Sequence, residues 1–310
     1  MSRRPGHIQG AGTQEWPTIG GVKPLLAIVG PTAAGKSALA LRLASRLPGA
    51  VIISADSRQV YRGLDIGAAK PTPDEQARVP HELIDLVDPD QSFSLADYQR
   101  LAYAAIEAAE RPFLVGGSGL YVRAVVDGFV LPAAPPDAAL RAANLNREQL
   151  LERLRQLDPA AAQRIDANNG YRLLRAVERA GQPAAAEPRY ASLQVGLTAA
   201  RQELQRRSDE RVERMLDAGW LDEVRALLAR YPPDLPALSG LGYGELSRHL
   251  RGELGYDQAV DMVKQRTRQF IKRQQTWFKR DPRIRWFDVT QPGWIAQATE
   301  LVGSLWRQPD

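Results

Sequence analysis

The sequence predicts an α/β protein whose core is a parallel β-sheet flanked by helices. Short apolar runs of strand length recur at residues 25–29, 51–54 and 112–115. Segments with helical spacing separate these runs, as expected of β-α-β units. The first run leads directly into a loop at residues 30–37 that reads Gly-Pro-Thr-Ala-Ala-Gly-Lys-Ser. A strand, such a loop and a helix in this order are typical of the P-loop NTPase-like fold.

The loop at 30–37 has the residues of a phosphate-binding site. Gly30 and Gly35 permit backbone angles that turn successive N–H groups toward a phosphate at the positive end of the helix dipole. Lys36 adds a positive charge, and the hydroxyl of Ser37 suits a magnesium ion that bridges phosphate oxygens. A chance glycine-rich turn is disfavoured because the strand and the helix are both present. The loop does not reveal which phosphate compound it binds.

Polar residues follow two further strands. Residues 51–54 lead to Asp56, and residues 112–115 lead to a glycine-rich turn that contains Ser118. Ligands of open α/β sheets bind beyond the carboxyl ends of the strands, so both side chains are expected near the phosphate loop. For Asp56 this position favours a functional carboxylate over an exposed turn residue. For Ser118 a functional hydroxyl and a turn-capping serine stay equally open.

The segments between these strands are predicted in turn. A loop punctuated by Gly and Pro covers residues 61–71, a third strand covers 81–88, and a helix covers 94–110. Proline-rich breaks at 131–136 and 182–188 enclose a helical segment. We therefore predict a disordered tail at 1–22, a catalytic core at 23–131 and 189–310, and a small all-helical insertion domain at 132–188.

The insertion contains a basic helix face. Arg172, Arg175 and Arg179 are spaced three and four apart, which places them on one side of a helix. A solvated face is the alternative, because Glu178 lies beside them. Residues 194–197 are predicted to return to the sheet as a strand. Residues 199–230 form a helical segment with mixed charges, a solvated pattern to which we assign no function.

The last long helix, residues 256–280, combines an apolar stripe with two basic rows. One row contains Lys264, Arg268 and Lys272, and the other contains Arg266, Arg273 and Arg280. No acidic residue occurs between 262 and 280, whereas a solvated face normally mixes in acids. This pattern favours contact with a nucleic-acid backbone. A final strand is predicted at 286–289.

Composition narrows the class of protein. The net charge of the 310 residues is +5, and residues 261–285 alone contain nine Lys or Arg against two Asp. There are no cysteines and only three histidines, which argues against disulfides and zinc sites. No apolar run approaches the roughly 20 residues that span a bilayer. A cytoplasmic monomer is the expectation.

These features leave two classes of enzyme open. One transfers a group from a phosphorylated donor to RNA, and the other is a small-molecule kinase of P-loop fold. The chain resembles the bacterial tRNA dimethylallyltransferases in five motifs that keep the family's order. They are Gly-Pro-Thr-Ala-Ala-Gly-Lys-Ser at 30–37, Ser-Ala-Asp-Ser-Arg-Gln-Val-Tyr at 54–61, Asp-Ile-Gly-Ala-Ala-Lys-Pro at 65–71, Gly-Gly-Ser-Gly-Leu-Tyr at 116–121 and Lys-Arg-Gln-Gln-Thr-Trp at 272–277.

The resemblance implies a reaction and roles for residues. A dimethylallyl group would pass from its diphosphate to the exocyclic N6 amine of the adenosine on the 3′ side of the anticodon, with release of diphosphate. Asp56 would be the base, Ser118 would bind the leaving group where the family usually has Thr, and Lys36 would act with them. The implied diphosphate-binding residues are Gly30, Pro31, Thr32, Ala33, Ala34, Gly35, Lys36 and Ser37, with Mg²⁺ on Ser37.

The resemblance also implies contacts with the tRNA anticodon stem-loop, whose adenosine must flip out of its stack. The implied tRNA-binding residues are Asp56, Ser57, Arg58, Gln59, Ser118, Arg141, Tyr171, Arg172, Arg175, Lys272, Arg273, Gln274, Trp277 and Lys279. Two further features depart from the family. Gly244 stands where the family usually has Arg or Lys, with Arg248 as a candidate substitute, and the insertion is short around residues 144–146.

Overall fold

The computed structural model describes residues 22–131, 138–180 and 187–306. Within these residues a single sheet of six strands is present, in the order β3-β2-β4-β1-β5-β6, and all of its pairings are parallel. The strands are β1 (Pro24–Val29), β2 (Ala50–Ser54), β3 (His81–Glu82), β4 (Arg111–Gly116), β5 (Ala191–Thr198) and β6 (Arg285–Asp288).

Helices cover both faces of this sheet and extend beyond it. The helices are α1 (Lys36–Ala44), α2 (Pro73–Arg78), α3 (Leu95–Ala108), α4 (Gly119–Val126), α5 (Ala138–Ala142), α6 (Arg147–Leu157), α7 (Pro159–Arg164), α8 (Gly170–Arg179), α9 (Arg201–Asp217), α10 (Trp220–Leu228), α11 (Tyr243–Leu250), α12 (Tyr256–Phe278) and α13 (Trp294–Leu305). None of the described helices is both long and apolar enough to cross a membrane.

The central position of β1 in the sheet explains why its sequence is continuously apolar. Leu26 and Ile28 pack in one core cluster with residues of α1, α9 and α13. Leu25 and Ala27 point to the opposite face and pack in a second cluster with residues of α3 and α4. Because successive side chains of a strand alternate between faces, a strand covered on both sides needs apolar residues at every position.

Two further apolar clusters lie outside the sheet. The Trp220 cluster, built on α9, α10 and α11, contains Leu64, Val212, Trp220, Val224, Leu227, Leu238, Tyr243, Leu246 and Val263. The insertion cluster contains Leu140, Leu150, Leu154, Leu173 and Val177, all from α5, α6 and α8. The helical segment predicted between the proline-rich breaks therefore has apolar packing of its own.

Most predicted strands are confirmed, at 24–29, 50–54, 111–116, 191–198 and 285–288. The prediction of a strand over residues 81–88 is wrong beyond Glu82, because Leu83 and Asp85 have positive φ angles of 63° and 55° that interrupt an extended chain. Most of the predicted tail and of both proline-rich breaks lies outside the described residues.

Some helices were not predicted. Helix α2 has a local signature that identifies it in retrospect: Thr72 and Glu75 form a capping box, and Pro73 occupies the first turn. Helices α4, α11 and α13 each begin at or next to a glycine. No side-chain hydrogen bond caps α4 or α13, whereas in α11 the carboxylate of Glu245 accepts the N–H of Gly242 at 2.8 Å.

Candidate active site

The carboxyl ends of β1, β4 and β2 are neighbours in the sheet, and each is followed by a loop with predicted site residues. The loop after β1 is the phosphate loop at 30–37. The turn after β4 carries Ser118, and the turn after β2 carries Asp56. The sheet order thus brings together the three segments that the sequence placed at one crevice.

The phosphate loop has the backbone that its glycines predict. Gly30 has a φ of 133°, and a Cβ there would lie 2.4 Å from the carbonyl oxygen of Leu197 on β5. Gly35 has a left-handed backbone, with a φ of 87°, immediately before α1. Only glycine permits both the close approach at residue 30 and, without strain, the turn at residue 35. The loop therefore closes against β5 and leads into the helix N-terminus.

Lys36 is partly enclosed by this loop. Its Nζ donates a hydrogen bond to the carbonyl oxygen of Pro31 at 2.8 Å. Burial and, to a smaller extent, the nearby charge of Arg211 lower the pKa of Lys36 to about 7, although the charge of Asp56 acts in the opposite direction. No carboxylate forms an ion pair with Lys36 in the described part of the chain. A bound anion would stabilise its charged form.

Arg211 of α9 is a site residue that the sequence analysis missed. Its Nη1 donates to the hydroxyl of Thr32 at 3.2 Å. Burial lowers the pKa of Arg211, and the charge of Asp56 partly opposes this effect. Arg211 lines a cavity of about 240 Å³ with the phosphate loop, together with Arg207 and Arg214 of the same helix.

The interpretation of residues 199–230 as a solvated face therefore does not hold for Arg211 of α9, which contacts the phosphate loop. A local signal was present, because Leu204, Ser208 and Val212 are the buried residues of this helix and Arg211 lies seven residues after Leu204. A guanidinium that is itself largely buried is unusual unless it has an anionic partner.

The turn with Asp56 is held against the turn with Ser118. The backbone N–H of Ser57 donates to the Ser118 hydroxyl at 3.0 Å, and the N–H of Ser118 donates to the carbonyl oxygen of Ala55 at 3.1 Å. One oxygen of Asp56, Oδ1, accepts the N–H of Arg58 at 2.8 Å. Its other oxygen accepts no hydrogen bond from the described residues, which leaves it available for a substrate.

Helix α12 joins two of the site loops through one buried side chain. Gln274 is 6% exposed. Its Oε1 accepts the N–H of Thr32 at 2.8 Å, and its Nε2 donates to the carbonyl oxygen of Gly117 at 3.0 Å. Trp277 packs on Gly119, where a Cβ would lie 2.2 Å from the indole. Gln274 thus acts on the protein's own loops, and both the oxygen and the nitrogen of its amide form hydrogen bonds inside the molecule.

The charges of α12 divide into two groups. Lys264 pairs with Glu213 at 2.7 Å, Arg266 pairs with Glu245, and Arg268 pairs with Asp209. The interpretation of two unbalanced basic rows is wrong for these residues, because the acids come from α9 and α11. The remaining residues are exposed and have no ion pair in the described parts of the chain; they are Lys272, Arg273, Lys279 and Arg280.

In the insertion, the predicted basic face is also partly neutralised. Glu178 accepts from Arg141 at 2.9 Å and pairs with Arg175. Tyr171, which is 69% exposed, and Arg172 lie at the start of α8 and remain accessible. The side chain of Arg179 lies outside the described residues.

Two arginines proposed from the resemblance make contacts within the protein. Arg58 donates from Nη1 to the carbonyl oxygens of Pro236 at 2.8 Å and Ala237 at 3.1 Å. Arg248, the candidate substitute for a cation at Gly244, pairs with Glu253 at 3.2 Å. Among the described residues, the guanidinium that donates a hydrogen bond to the phosphate loop belongs to Arg211.

Comparisons with known proteins identify the family. The model of the family described as IPP transferase matches residues 59–281, and that described as isopentenyl transferase matches residues 23–85. The tRNA dimethylallyltransferase of Symbiobacterium thermophilum is 47% identical over 305 residues, which cover 92% of this chain and 95% of that protein. The chain belongs to the IPP transferase family of tRNA dimethylallyltransferases.

Solved structures agree with this assignment. The tRNA isopentenylpyrophosphate transferase of Bacillus halodurans is 39% identical, with a TM-score of 0.71 over 91% of this chain and 97% of that chain. A eukaryotic dimethylallyltransferase acting on tRNA is 23% identical and shares the fold, with a TM-score of 0.78 over 90% of this chain and 78% of that one. The resemblance in the motifs is confirmed. The family is one of tRNA-modifying prenyltransferases, and the kinase alternative is not favoured.

Proposed function

We propose that this chain transfers the dimethylallyl group of dimethylallyl diphosphate to the exocyclic N6 amine of the adenosine on the 3′ side of a tRNA anticodon. One observation carries the proposal beyond family membership. Lys36 and Arg211, which have no carboxylate partner among the described residues, lie at a phosphate loop within the electrostatic reach of Asp56. Two cations and a carboxylate are the groups that a diphosphate leaving group and an amine nucleophile require.

The donor's diphosphate would lie in the cavity beside residues 30–37. The backbone N–H groups of the loop, Lys36 and Arg211 would bind its oxygens and stabilise the charge that develops as it leaves. The hydroxyl of Ser118 can turn from its weak 3.4 Å contact with the Ser57 hydroxyl toward the leaving oxygen. These interactions strengthen in the transition state, because the negative charge on the diphosphate increases there.

Magnesium fits this site as a substrate-dependent ion. Among the described residues no group of three or more His, Asp or Glu can hold a metal by itself. The exposed hydroxyl of Ser37 forms no hydrogen bond among the described residues and would be the protein ligand of Mg²⁺. Oxygens of the diphosphate would supply further ligands. Mg²⁺ is usually bound in this way, through few protein ligands and substrate phosphates. When bound, the ion would neutralise charge on the leaving group.

The chemical step would form one bond and break another. The adenine N6 bonds to C1 of the dimethylallyl group as the bond from C1 to the diphosphate oxygen breaks, and the electron pair stays on the diphosphate. The attacking amine becomes cationic, and the free oxygen of Asp56 takes its proton. A carboxylate is basic enough for this role, because it needs only to orient the amine and then deprotonate a cationic nitrogen.

The RNA would bind across the exposed cations of α12 and the start of α8. Lys272, Arg273 and Lys279 would contact phosphates, with Tyr171 and Arg172 approaching from the insertion. The adenosine would leave its stack to reach Asp56. We propose the domain division given above as the frame of this interface, with the insertion at 132–188 facing the core. We expect the enzyme to act as a monomer in the cytoplasm, where its tRNA substrate is found.

A two-arm assay tests the proposal. Purified protein with Mg²⁺ receives either radiolabelled dimethylallyl diphosphate and an anticodon stem-loop, or labelled ATP and small-molecule acceptors. We expect label on the RNA with diphosphate release in the first arm and no transfer in the second. A stem-loop with guanosine in place of the target adenosine is the matched control and should stay unlabelled. Phosphoryl transfer without prenylation, or prenylation of the control RNA, would overturn the proposal.

A further inference from the structure

The turn that carries Asp56 is tied to a neighbouring loop by one side chain. The Oε1 of Gln59 accepts the hydroxyl of Ser54, at the end of β2, at 2.7 Å. The Nε2 of Gln59 donates to the carbonyl oxygens of Ala68 at 3.1 Å and Ala69 at 3.0 Å. The position of the catalytic turn therefore depends on the loop at 65–70.

That loop is in turn fixed by a carboxylate from α10. The backbone N–H groups of Asp65, Ile66 and Gly67 all donate to Glu223, at 2.9, 2.6 and 3.2 Å. The hydroxyl of Tyr243 on α11 donates to the same carboxylate at 2.7 Å. Successive N–H groups that converge on one anion form a nest, and here the anion is a side chain of the protein.

The loop at 65–70 packs directly on the Trp220 cluster. A Cβ on Gly67 would lie 2.1 Å from the indole nitrogen of Trp220, which is 1% exposed. At the other end of the loop, Lys70 donates to the carbonyl oxygen of Tyr61 at 2.7 Å and to Asp65 at 2.6 Å. With both ends anchored, the loop can transmit the position of α10 to Gln59.

A second link runs in parallel. Arg58, two residues after Asp56, donates to backbone carbonyls in the segment between α10 and α11, as described above.

The hydroxyl of Tyr243 stays protonated and donates to Glu223, because burial and the neighbouring charge of Glu223 raise the pKa of Tyr243 far above its ordinary value. None of these contacts involves the phosphate loop.

We propose that Glu223 is a positioning residue for the transfer reaction. It fixes the loop at 65–70 and, through Gln59, sets where Asp56 stands relative to the donor bound at the phosphate loop. The inference rests on the proposed function, because it assigns Asp56 the role of base. Two parts of the molecule then serve two requirements of the reaction. The phosphate loop binds the donor, and the Trp220 cluster, through Glu223, positions the base that acts on the acceptor amine.

Glu223→Gln tests this role. The amide of Gln has one oxygen and one NH₂ group, whereas the carboxylate of Glu223 has two accepting oxygens. The three backbone N–H groups therefore lose one of the two oxygens to which they donate. We expect kcat at saturating donor and RNA to fall about tenfold or more, since small misplacements of a reacting group have effects of this size. The KM for the donor should stay within about twofold, because the phosphate loop is untouched.

Tyr243→Phe is the milder variant and carries the test if Glu223→Gln does not fold. It removes one of the donors to Glu223 and keeps the ring. We expect kcat to fall about two- to fivefold, again at constant donor KM. The double variant should lose no more than Glu223→Gln alone, because residues that act through one network are not additive.

Glu213→Gln is the matched control. It also removes a carboxylate from the same group of helices, but Glu213 pairs only with Lys264 in the described residues. We expect its kcat to match the wild type. Hydrogen exchange of the amides of Asp65, Ile66 and Gly67 should accelerate in Glu223→Gln and stay unchanged in Glu213→Gln.

The outcomes separate the two proposals. An active wild type with an unchanged kcat in Glu223→Gln, or with a donor KM that rises as much as kcat falls, would overturn the positioning role. An equal loss in Glu213→Gln would attribute the effect to general destabilisation and would also overturn it. A wild type without prenyl transfer would overturn the proposed function itself.

Discussion

Lys36 and Arg211 are cations placed against a phosphate loop without an acidic partner in the described parts of the chain. Burying two cations is unfavourable, and burial is the main reason why the pKa of each residue is lowered; the charge of Arg211 adds to the effect at Lys36, and that of Arg214 adds to it at Arg211. A diphosphate anion would remove the cost when it binds. We therefore expect an anionic ligand to bind at these two side chains.

The pKa of Lys36 leads to a prediction for ligand binding. In magnesium-free protein Lys36 should titrate at about 7, against an ordinary value of 10.5. A bound diphosphate raises this pKa, so above pH 7 the complex holds more protons than the separate partners. The affinity for inorganic diphosphate should therefore weaken as the pH rises above 7, and binding at pH 8 should take up a proton.

Two measurements check this prediction. Calorimetry in two buffers of different ionisation enthalpy gives the proton uptake, and carbon NMR of the lysine side chains gives the titration. The chain has six lysines, so Lys36→Arg assigns the resonance, and as the control it should take up fewer protons than the wild type, because only the proton exchange of the diphosphate itself remains. Binding without proton uptake, or titration near 10.5, would contradict the expected shift.

Asp56 is predicted to act in the chemical step and not in binding. Asp56→Asn should lower kcat by about 10²-fold or more, because an amide cannot accept the proton of the attacking amine. The dissociation constant of the tRNA, measured by filter binding, should change little. Asp74→Asn, at an exposed carboxylate in the first turn of α2, is the control. A matching loss of tRNA affinity in Asp56→Asn would place the residue in recognition instead.

Helix α12 is the element in which sequence and structure differ most. Its apolar stripe is where the spacing predicts, with Val263, Thr267 and Ile271 buried against the core. Its basic charge does not follow the sequence prediction. The three basic residues of its first half are neutralised by acids that stand 21 to 59 positions away in the sequence. A local pattern cannot reveal such partners. Among the described residues, the basic side chains without an ion pair lie in the second half of the helix and just beyond its end.

This division predicts different salt dependences for three single-charge variants. Arg273→Ala should weaken tRNA binding and flatten the slope of log affinity against log salt by about one unit, since one phosphate contact is lost. Lys272→Ala should behave in the same way. Lys264→Ala should leave the slope unchanged, because that ammonium is already paired with Glu213. Fluorescence titrations at several salt concentrations measure the slopes. Equal slopes for all three variants would show that this face of α12 contacts solvent and not the phosphates of the tRNA.

At the scale of the whole molecule, the sheet and the insertion have separate apolar clusters. The sheet clusters lie on the two faces of β1, whereas the insertion cluster draws only on residues 138–180. Separate clusters allow local opening of one without the other. The domain boundaries predicted from the proline-rich breaks can be tested on this basis.

Leu154→Ala tests the independence of the insertion. Leu154 is fully buried in the insertion cluster, so truncation should cost this unit about 2–5 kcal/mol. Hydrogen exchange should accelerate across α6 and α8 while the strands of the sheet keep their protection. Leu157→Ala, at a residue of the same helix that is 51% exposed, should change little. Faster exchange in β1 would show that the insertion and the core unfold together.

The sequence by itself determined the class of fold, most strands, the backbone of the glycine-rich loop at 30–37 and the family. These follow from local requirements: buried strands need continuous apolar residues, and the loop needs glycine at residues 30 and 35. Only the tertiary structure decided which charges are free and which are paired. It brought Arg211 to the phosphate loop, neutralised half of α12 and placed Glu223 under the loop at 65–70. Such contacts join residues far apart in the chain, and their energy depends on side-chain position, which no local pattern encodes.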